Sequence, residues 1–509
     1  MVTRALRLAM VGLLLLSCES AFSKVKPHEL FADGAVLQRD MTIPIWGTAD
    51  PGEEVVVRVG PRRGCATAGD DGRWMVKLKP LSAGGPYSME ISGKNAIVLD
   101  NILVGEVWVC SGQSNMGMNL LPTENGKDVA AKAANPRIRL LTVPRRNTDK
   151  PLEDIGGARW VECAPESAGN FSAVGYFFGR ELEEVLDVPI GLLDVAQGNS
   201  RSLAWIHKEA LEANPKFKPA LDEYAAALKV YPKKKAEFEK RKAEHQRLVE
   251  KAKREGVKGP GKLRGSEPMG PIHYNRPSCL YYGMIAPIQP YAIRGVIWYQ
   301  GESDGTSMKN SILYRDLFPT LITTWRETWE QGDFPFLFVQ LPGKGSPEAT
   351  TWAILREAQA NTLALKNTGM AVSIELGEKD EWHPKKKAPI GHRLALVARA
   401  QVYGEDVPSS GPVYRGMKID DSKITLTFDR VYGGLVAKGE KLLGFKIAGA
   451  DEEFVEADAR IVADTVVVSS SDIVKPIAVR YAWANWPTCN LYNKAGLPAG
   501  TFRTDSFEE

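Results

Sequence analysis

The chain has 509 residues, enough for about three domains of roughly 100 to 200 residues each. Hydrophobic residues make up 44% and charged residues 25%, values typical of a globular protein, which exclude a wholly disordered chain and a collagen-like fibre. The 65 Lys and Arg residues nearly balance the 62 Asp and Glu residues, and the net charge of +3 gives no electrostatic reason to expect a nucleic-acid partner.

The first residues have the pattern of a secretory signal. Arg4 and Arg7 precede an apolar run from Leu8 to Leu16, and small residues follow. This run is too short for a permanent membrane helix, and no later segment offers about 18 uninterrupted apolar residues. We therefore expect a signal peptide over residues 1–23 and a secreted or periplasmic protein without a membrane span. Lipidation at Cys18, whose context resembles a bacterial lipobox, is the alternative to simple cleavage.

The remaining chain divides into three regions by its hydrophobic pattern. Residues 24–101 contain short alternating runs separated by turn residues, which predicts an N-terminal β-sandwich domain. Over residues 102–404, continuous apolar runs alternate with helical stretches, which predicts a parallel sheet covered by helices on both faces. Ligands of such sheets bind outside the carboxyl ends of the strands. Strand-like patterns return over residues 405–509, so we expect a C-terminal β domain.

A basic segment interrupts the central region. Residues 207–265 are rich in Ala, Lys and Glu, and Lys233–Arg254 carry ten Lys or Arg against four Glu. A nucleic-acid or anionic-surface partner would fit this charge, but a solvated helical hairpin inserted between sheet elements is the simpler interpretation. We expect this insertion to be dispensable for the chemistry.

Cysteine and histidine give no metal-binding pattern. There is no C-x-x-C pair and no H-x-x-x-H, and the odd number of cysteines after the signal argues against a disulfide framework, although one bridge remains open. We predict a protein without metal or cofactor. The sequence makes no prediction of the oligomeric state.

Ser114 is the candidate nucleophile. The apolar run EVWVCSG leads into this serine, and a serine just past a parallel strand can present its Oγ and nearby backbone N–H groups to a substrate. An ordinary helix N-cap explains the same residue. Ser303 competes with it, because GESDG fits the G-x-S-x-G pattern of an α/β-hydrolase nucleophile after another apolar run.

The candidate base is His383. Asp380 precedes it by three residues, so its carboxylate can reach Nδ1 and fix the tautomer in which Nε2 accepts a serine proton. Glu381 is a rival for this role, and a turn cap beside a surface histidine is the structural alternative. An acid and a histidine on one loop favour a serine on the first strand of the sheet, which makes Ser114 the better candidate than Ser303.

Two further polar segments follow apolar runs. IWYQGESDG presents Gln300 and Glu302, and DVAQGNS presents Gly198 and Asn199. Amide and backbone N–H donors at the edge that carries the serine would suit an oxyanion hole.

Together these segments resemble a known family. VWVCSGQSNM, IRGVIWYQGESD, HPKKKAPIGHRLAL and YAWANWPTCNLYNKAGLPAGTFRTD are similar to the bacterial sialate O-acetylesterases, carbohydrate esterases of the SGNH-hydrolase fold. The resemblance covers nearly the whole chain after the signal, apart from the basic insertion. It implies a flavodoxin-like three-layer α/β/α hydrolase domain flanked by two β domains. The implied activity is metal-free removal of acetyl groups from the sugars of a glycan or polysaccharide.

The resemblance also implies roles for individual residues. Ser114, His383 and Asp380 match the catalytic triad, and Ser114, Gly198 and Gln300 match the oxyanion hole. Neighbouring polar residues are expected to bind substrate: Gln113, Asn115, Asn199 and Glu302.

The chain departs from the family pattern in three places. Asp304 stands where the family often has Asn, QGNS replaces W-G-G-T, and DEW leaves Asp380 and Glu381 as alternative acids. An acetylesterase for plant polysaccharides of the xylan or xyloglucan type is an alternative function. An inactive carbohydrate-binding surface protein is another, disfavoured because all three triad residues are present.

Overall fold

The computed structural model describes residues 24–263 and 265–508. The expected signal peptide over residues 1–23 and the alternative lipidation site at Cys18 lie outside the described residues.

The N-terminal region forms two β-sheets, as expected from its alternating pattern. Its strands are β1 Lys26–Pro27, β2 Val36–Gln38, β3 Ile43–Thr48, β4 Glu54–Val59, β5 Arg62–Thr67, β6 Arg73–Leu78, β7 Gly84–Ser92 and β8 Ala96–Gly112. Strands β1, β3 and β6 form one sheet, while β2, β4, β5 and β7 belong to the sheet that contains β8. In β4, Val55, Val57 and Val59 are fully buried on one face, which is the period of two expected for a strand with one covered face.

Strand β8 connects the N-terminal region to the centre of the molecule. It is 17 residues long, and its residues change from alternating exposure to complete burial at Ile102. The predicted boundary between residues 101 and 102 therefore marks a change in burial within one strand, and the two regions share a continuous sheet.

The central region is a mixed α/β unit. Its further strands are β9 Asn135–Thr142, β10 Val161–Cys163, β11 Ile190–Ala196, β12 Gly295–Tyr299, β13 Phe336–Gln340 and β14 Thr368–Val372. Its helices are α1 Gly126–Ala131, α2 Pro165–Gly169, α3 Ala173–Leu186, α4 Lys208–Ala213, α5 Lys218–Glu255, α6 Met308–Trp329, α7 Thr351–Asn361 and α8 Ala388–Gln401.

The strand order is β10-β9-β11-β8-β12-β13-β14, with every pairing from β9 to β14 parallel. The five strands from β11 to β14 follow the flavodoxin-like order 2-1-3-4-5, extended at one edge by β9 and β10. Strands β11, β12 and β13 are buried along their whole length, because both faces of the sheet are covered.

Aromatic contacts show that helices cover both faces. Trp108 of β8 contacts Phe178 of α3, and Trp298 of β12 contacts Phe318 of α6. Trp298 is in register with Ser111, which lies an odd number of residues from Trp108. Because successive side chains of a strand point to opposite faces, α3 and α6 lie on opposite sides of the sheet. The predicted three-layer α/β/α architecture is confirmed.

The basic insertion differs from the predicted hairpin. It consists of the short α4 and one continuous helix, α5, of 38 residues, followed by a non-helical return segment that begins at Gly256. Pro232 lies inside α5, although a proline removes one backbone hydrogen bond and normally ends a helix. The helix continues because good helix formers surround the proline, and because ion pairs one turn apart, such as Lys235–Glu239 at 2.8 Å, support the following turns.

The C-terminal region is a β domain, as predicted. Its strands are β15 Val413–Asp420, β16 Lys423–Asp429, β17 Leu435–Ala437, β18 Phe445–Ala448, β19 Phe454–Glu456, β20 Asp458–Val462, β21 Thr465–Ser469, β22 Ala478–Tyr481, β23 Leu491–Asn493 and β24 Phe502–Arg503. They pair as β15-β16-β21-β20, β19-β18-β22-β24 and β17-β23. The buried guanidinium of Arg356 in α7 donates hydrogen bonds to the carbonyl groups of Leu341, Pro342, Ala484 and Asn485, and so joins this domain to the central one.

Candidate active site

Three strands end together at one edge of the central sheet. Gly112, the last residue of β8, is in register with Ala196 of β11 and Tyr299 of β12. Gly112 has a φ of +136°, and a Cβ there would lie 2.2 Å from the Tyr299 carbonyl oxygen, so the close passage of β8 and β12 requires glycine. The loops that follow these strands therefore emerge side by side, as the sequence pattern predicted.

A pocket of about 520 Å³ opens over this edge. The predicted residues that line it are Gln113, Ser114, Asn199, Glu302 and His383. Ser303, Thr306 and Trp382 also border it, and six residues of the return segment form the facing wall: Ser266, Glu267, Met269, His273, Tyr274 and Asn275. The structure therefore brings the predicted serine and histidine to one cavity, although they are 269 positions apart in the sequence.

Ser114 lies beside Gly198. A Cβ placed on Gly198 would be 3.7 Å from the Ser114 Cβ, which is ordinary contact distance. In the described part of the chain, neither the Ser114 nor the Gly198 backbone N–H donates a hydrogen bond. Two unengaged N–H groups next to a partly exposed serine are the donors that an oxyanion requires.

His383 is an exposed residue on the loop before α8, at the pocket wall. Desolvation lowers the pKa of its imidazole below the ordinary 6.5, the positive charge of Lys387 lowers it further, and the Glu381 carboxylate raises it. The imidazole is therefore neutral at pH 7, the state in which it can accept a proton. Within the described residues, no hydrogen bond joins His383 to Ser114.

Asp380 does not contact His383 in this structure. Its side chain is exposed and forms no hydrogen bond or ion pair with any described residue. The carboxylate whose charge acts on the pKa of His383 is that of Glu381. The predicted Asp380–His383 hydrogen bond is thus not formed here, because the Asp380 carboxylate lies on an exposed turn, where water can satisfy it.

Gln300 is not available as the predicted oxyanion donor. It is fully buried, and its Nε2 donates to the Ser200 carbonyl at 3.0 Å and to Asp304 Oδ2 at 2.6 Å. Both amide hydrogens are thereby used, and Gln300 does not line the pocket. Asp304 Oδ2 also accepts from the Ser202 N–H at 2.9 Å, so Gln300 and Asp304 tie the loops after β11 and β12 together.

Asn115 is likewise engaged within the protein and not with the pocket. Its Nδ2 donates to Glu302 Oε1 and to the Trp382 carbonyl, the latter at 2.9 Å, and its Oδ1 accepts from Lys387 Nζ at 2.6 Å. One buried amide therefore connects the loop after β8, the loop after β12 and the histidine loop. The predicted substrate contact of Asn115 is replaced by this bridging role.

Burial perturbs the two charged members of this network. It lowers the pKa of Lys387 to about 7, against the opposing effect of the Glu302 and Glu378 carboxylates. It also raises the pKa of Glu302, whose Oε2 has no hydrogen-bond partner in the described part of the chain. Sequence reasoning missed Lys387, because nothing in the run of three lysines after Pro384 distinguishes the buried one.

Gln113 retains a free donor at the pocket. Its Oε1 accepts from the Ser303 N–H at 3.3 Å and from the Gly301 N–H at 3.5 Å. Its side-chain nitrogen has no partner among the described residues, so an N–H group remains for a ligand. The rival nucleophile Ser303 also borders the cavity, so position in the pocket does not separate it from Ser114.

Asn275 holds the loop that presents Gly198. Its Nδ2 donates to the Asn199 carbonyl at 2.9 Å, and its Oδ1 accepts from the Arg201 N–H at 2.8 Å. This residue lies on the segment that returns from the insertion, and the sequence carried no signal for its role. Asn275 lies ten residues after the predicted insertion of residues 207–265, and no residue of that insertion lines the Ser114 pocket, so its expected dispensability stays a prediction.

Two kinds of feature are absent from residues 24–263 and 265–508. No group of three or more His, Cys, Asp or Glu side chains in these ranges is arranged to hold a metal ion. None of the helices in the same ranges combines the length and apolar composition of a transmembrane helix.

Comparison with known proteins decides the family. Residues 269–399 match the family model described as carbohydrate esterase, sialic acid-specific acetylesterase. A carbohydrate acetylesterase from Xanthomonas citri has a crystal structure with a TM-score of 0.80 to this chain, at 34% sequence identity, covering 95% of this chain and 100% of that one. This chain belongs to the sialate O-acetylesterase family of carbohydrate esterases.

Mammalian members of the sialate O-acetylesterase family align over most of the chain. The rat sialate O-acetylesterase is 29% identical, with 92% of each chain covered, and the human one is 28% identical, with 90% of this chain and 88% of the human protein covered. The protein is therefore an ester hydrolase that acts on acetylated sugars. The alignments span both β domains as well as the central unit.

Proposed function

We propose that this carbohydrate esterase removes O-acetyl groups from sugars through a covalent acetyl-enzyme on Ser114. The observation that carries the proposal is one pocket lined by Ser114 and by the neutral imidazole of His383, with unengaged backbone N–H groups at Ser114 and at Gly198 beside it. This arrangement supports an SGNH-type mechanism.

In the acylation step, His383 Nε2 accepts the Ser114 hydroxyl proton as Oγ attacks the acetyl carbonyl carbon. The oxyanion of the tetrahedral intermediate accepts hydrogen bonds from the backbone N–H groups of Ser114 and Gly198. Loss of one such donor costs on the order of 100-fold to 1000-fold in turnover. The carbon–oxygen bond to the sugar then breaks, and His383 returns the proton to the departing sugar oxygen.

In the deacylation step, a water molecule replaces the sugar. His383 accepts a proton from the water as its oxygen attacks the acetyl carbonyl carbon. The second tetrahedral intermediate collapses, acetate leaves, and His383 returns the proton to Ser114 Oγ. The cycle consumes one water and leaves the enzyme unchanged, so it needs no metal and no cofactor.

We assign Asp380 as the acid that orients His383 in the reacting enzyme. The D-x-x-H spacing supports this role, because a carboxylate three residues before the imidazole can reach Nδ1 from an exposed turn. Catalytic hydrogen bonds are often absent from unliganded structures and form with bound substrate. Glu381 acts on the histidine through its charge alone.

The names of the relatives support an O-acetylated sialic acid as the substrate, and an acetylated plant polysaccharide of the xylan or xyloglucan type is the second candidate. Trp382, which is 48% exposed at the pocket rim with Lys344 Nζ 4.0 Å from its ring centroid, offers an aromatic face to a sugar ring. Secretion remains a prediction from residues 1–23.

The test compares the two serines of the pocket. We expect Ser114→Ala to abolish acetate release and labelling by a fluorophosphonate probe, while Ser303→Ala keeps the label and most of the rate. Labelling that survives in Ser114→Ala and disappears in Ser303→Ala would contradict the proposed nucleophile. A wild-type protein that neither labels nor releases acetate would indicate an inactive carbohydrate-binding protein.

A further inference from the structure

A second pocket, of about 180 Å³, adjoins the candidate active site. It lies between α5 of the insertion and α6 of the central region. Arg201, Met269 and Asn275 line both pockets, so the two pockets are neighbours separated by these shared residues. Helix α5 of the basic insertion thus forms one wall of the second pocket.

The second pocket is lined by both polar and apolar side chains. Tyr224 of α5 is half-buried there, and its hydroxyl forms no hydrogen bond with any described residue. Leu313 and Leu317 of α6 supply apolar surface, together with Ala220 and Ala227 of α5. A pyranose ring presents an apolar C–H face and a rim of hydroxyls, and an apolar wall with a few free polar groups suits such a ligand.

Arg201 lies where the two pockets meet. Its guanidinium has no ion pair or hydrogen bond among the described residues. Its positive charge acts to lower the pKa of both His273 and Asp304. A guanidinium carries five N–H donors, which match the oxygen atoms of a sugar. The junction therefore holds an unengaged donor group between the reacting serine and the second pocket.

Side-chain contacts hold the insertion and the segment after it against the central region. Glu223 of α5 pairs with Lys309 of α6, and Lys216 pairs with Asp316 of α6 at 2.6 Å. Asn275 fixes the return segment to the oxyanion loop. Each exposed ion pair adds little stability, but together these contacts determine where α5 lies.

We propose that the cleft between α5 and α6 is a subsite for the sugar that is glycosidically linked to the acetylated one, with Tyr224 and Arg201 as its hydrogen-bonding residues. This inference rests on the proposed function. The acetylated ring occupies the pocket of Ser114, and its neighbour in the glycan extends past Arg201 onto the apolar wall of α6. The enzyme therefore favours acetylated oligosaccharides over acetylated monosaccharides.

The experiment measures kcat/KM for two matched substrate pairs. One pair is O-acetylated N-acetylneuraminic acid, free and within sialyllactose, and the other is acetylated xylose and acetylated xylotriose. The wild-type enzyme should prefer the oligosaccharide in the pair that it hydrolyses. Tyr224→Ala and Arg201→Ala should each lower the ratio of oligosaccharide to monosaccharide kcat/KM by about tenfold, the effect of one lost hydrogen bond with its contacts. Tyr224→Phe, which keeps the ring, should lower it less.

Lys242→Ala, on the exposed surface of α5, is the matched control and should keep the wild-type ratio. A wild-type ratio near one in both pairs, or a ratio unchanged in both Tyr224→Ala and Arg201→Ala, would overturn the subsite. Hydrolysis of 4-nitrophenyl acetate that depends on Ser114 separates this outcome from a failure of the proposed function. If that Ser114-dependent hydrolysis persists while the ratio is one, the subsite alone is wrong.

Discussion

The pocket has two walls, and different interactions hold them in place. The wall that carries Ser114 and Gly198 follows from the sheet, because the parallel register of β8, β11 and β12 brings their ends together. The wall formed by residues 266–275 belongs to no sheet, and side-chain contacts such as those of Asn275 fix it. Backbone pairing therefore determines the positions of the reacting groups, while side chains of the segment that follows the insertion shape the space around them.

The largest effect is expected from a substitution in the loop that carries His383, which belongs to the first wall. We expect Asp380→Asn to lower kcat on the order of 1000-fold, because His383 then loses the carboxylate that selects its tautomer. Steady-state kinetics with an acetyl ester measures this effect. Glu381→Gln is the control, and a crippled Glu381→Gln beside a nearly active Asp380→Asn would show that Glu381 is the acid.

The second prediction concerns the hydrogen bonds that connect the two walls. Asn275→Leu removes both hydrogen bonds to the loop of residues 199–201, so Gly198 is no longer held at its position. A displacement of about 1 Å can cost on the order of 100-fold in rate, and we expect kcat to fall by that order. Asn170→Leu, the same change on the exposed surface after α2, should leave kcat unchanged. Full activity in Asn275→Leu would show that the sheet alone positions the oxyanion loop.

The third prediction concerns Lys387, which belongs to the buried hydrogen-bond network beside the first wall. Lys387→Met leaves Asn115 Oδ1 without its donor and Glu302 without its cation, and we expect a loss of about 1 to 3 kcal/mol in unfolding free energy near neutral pH. Denaturant unfolding measures it. A stability equal to that of the wild type would show that the network is not maintained by the lysine.

Lys387 also makes a pH dependence testable. Its pKa is about 7 in the folded protein and near the ordinary 10.5 when unfolded, so the unfolded chain binds the extra proton between these values. The contribution of Lys387 therefore makes wild-type stability rise with pH from about 7 to 10.5, and Lys387→Met should lack that component. Parallel slopes for the two proteins over this range would contradict the shifted lysine.

A smaller effect is expected in the pH profile of Glu381→Gln. The carboxylate stabilises the imidazolium of His383, so its removal lowers the histidine pKa further. The acid limb of kcat/KM should shift to lower pH, with the plateau rate retained. A shift to higher pH would show that the Glu381 charge does not act on the base.

For the removal of metal ions we expect no effect on activity. Dialysis against EDTA should leave the esterase rate unchanged, because the serine mechanism uses protein groups only. Loss of activity that added zinc or calcium restores would overturn that mechanism.

The sequence by itself determined the architecture and the position of the site. Apolar runs that end in polar residues predict parallel strands, and the carboxyl ends of such strands meet at one edge, so Ser114, Gly198 and Glu302 could be placed near one another. The motifs around them indicated the family. These inferences succeed because hydrophobic patterns within short segments indicate the strands, and parallel pairing brings the ends of those strands together.

Only the tertiary structure decided which polar groups are free. Asn115 lies in the same motif as Ser114, and Gln300 lies in the motif after β12, yet their amides are engaged by Glu302, Lys387 and Asp304. Hydrogen-bond partners from distant segments satisfy a buried polar group, and no local pattern records that pairing.

The tertiary structure also decided the role of the insertion. Composition predicted α-helix, but the position of α5 against α6 depends on contacts such as Glu223 with Lys309. Asn275 holds the oxyanion loop through Asn199, which lies 76 positions earlier in the sequence. Such long-range contacts depend on the folded path of the chain, and for this reason the second wall of the pocket could not be predicted from the sequence.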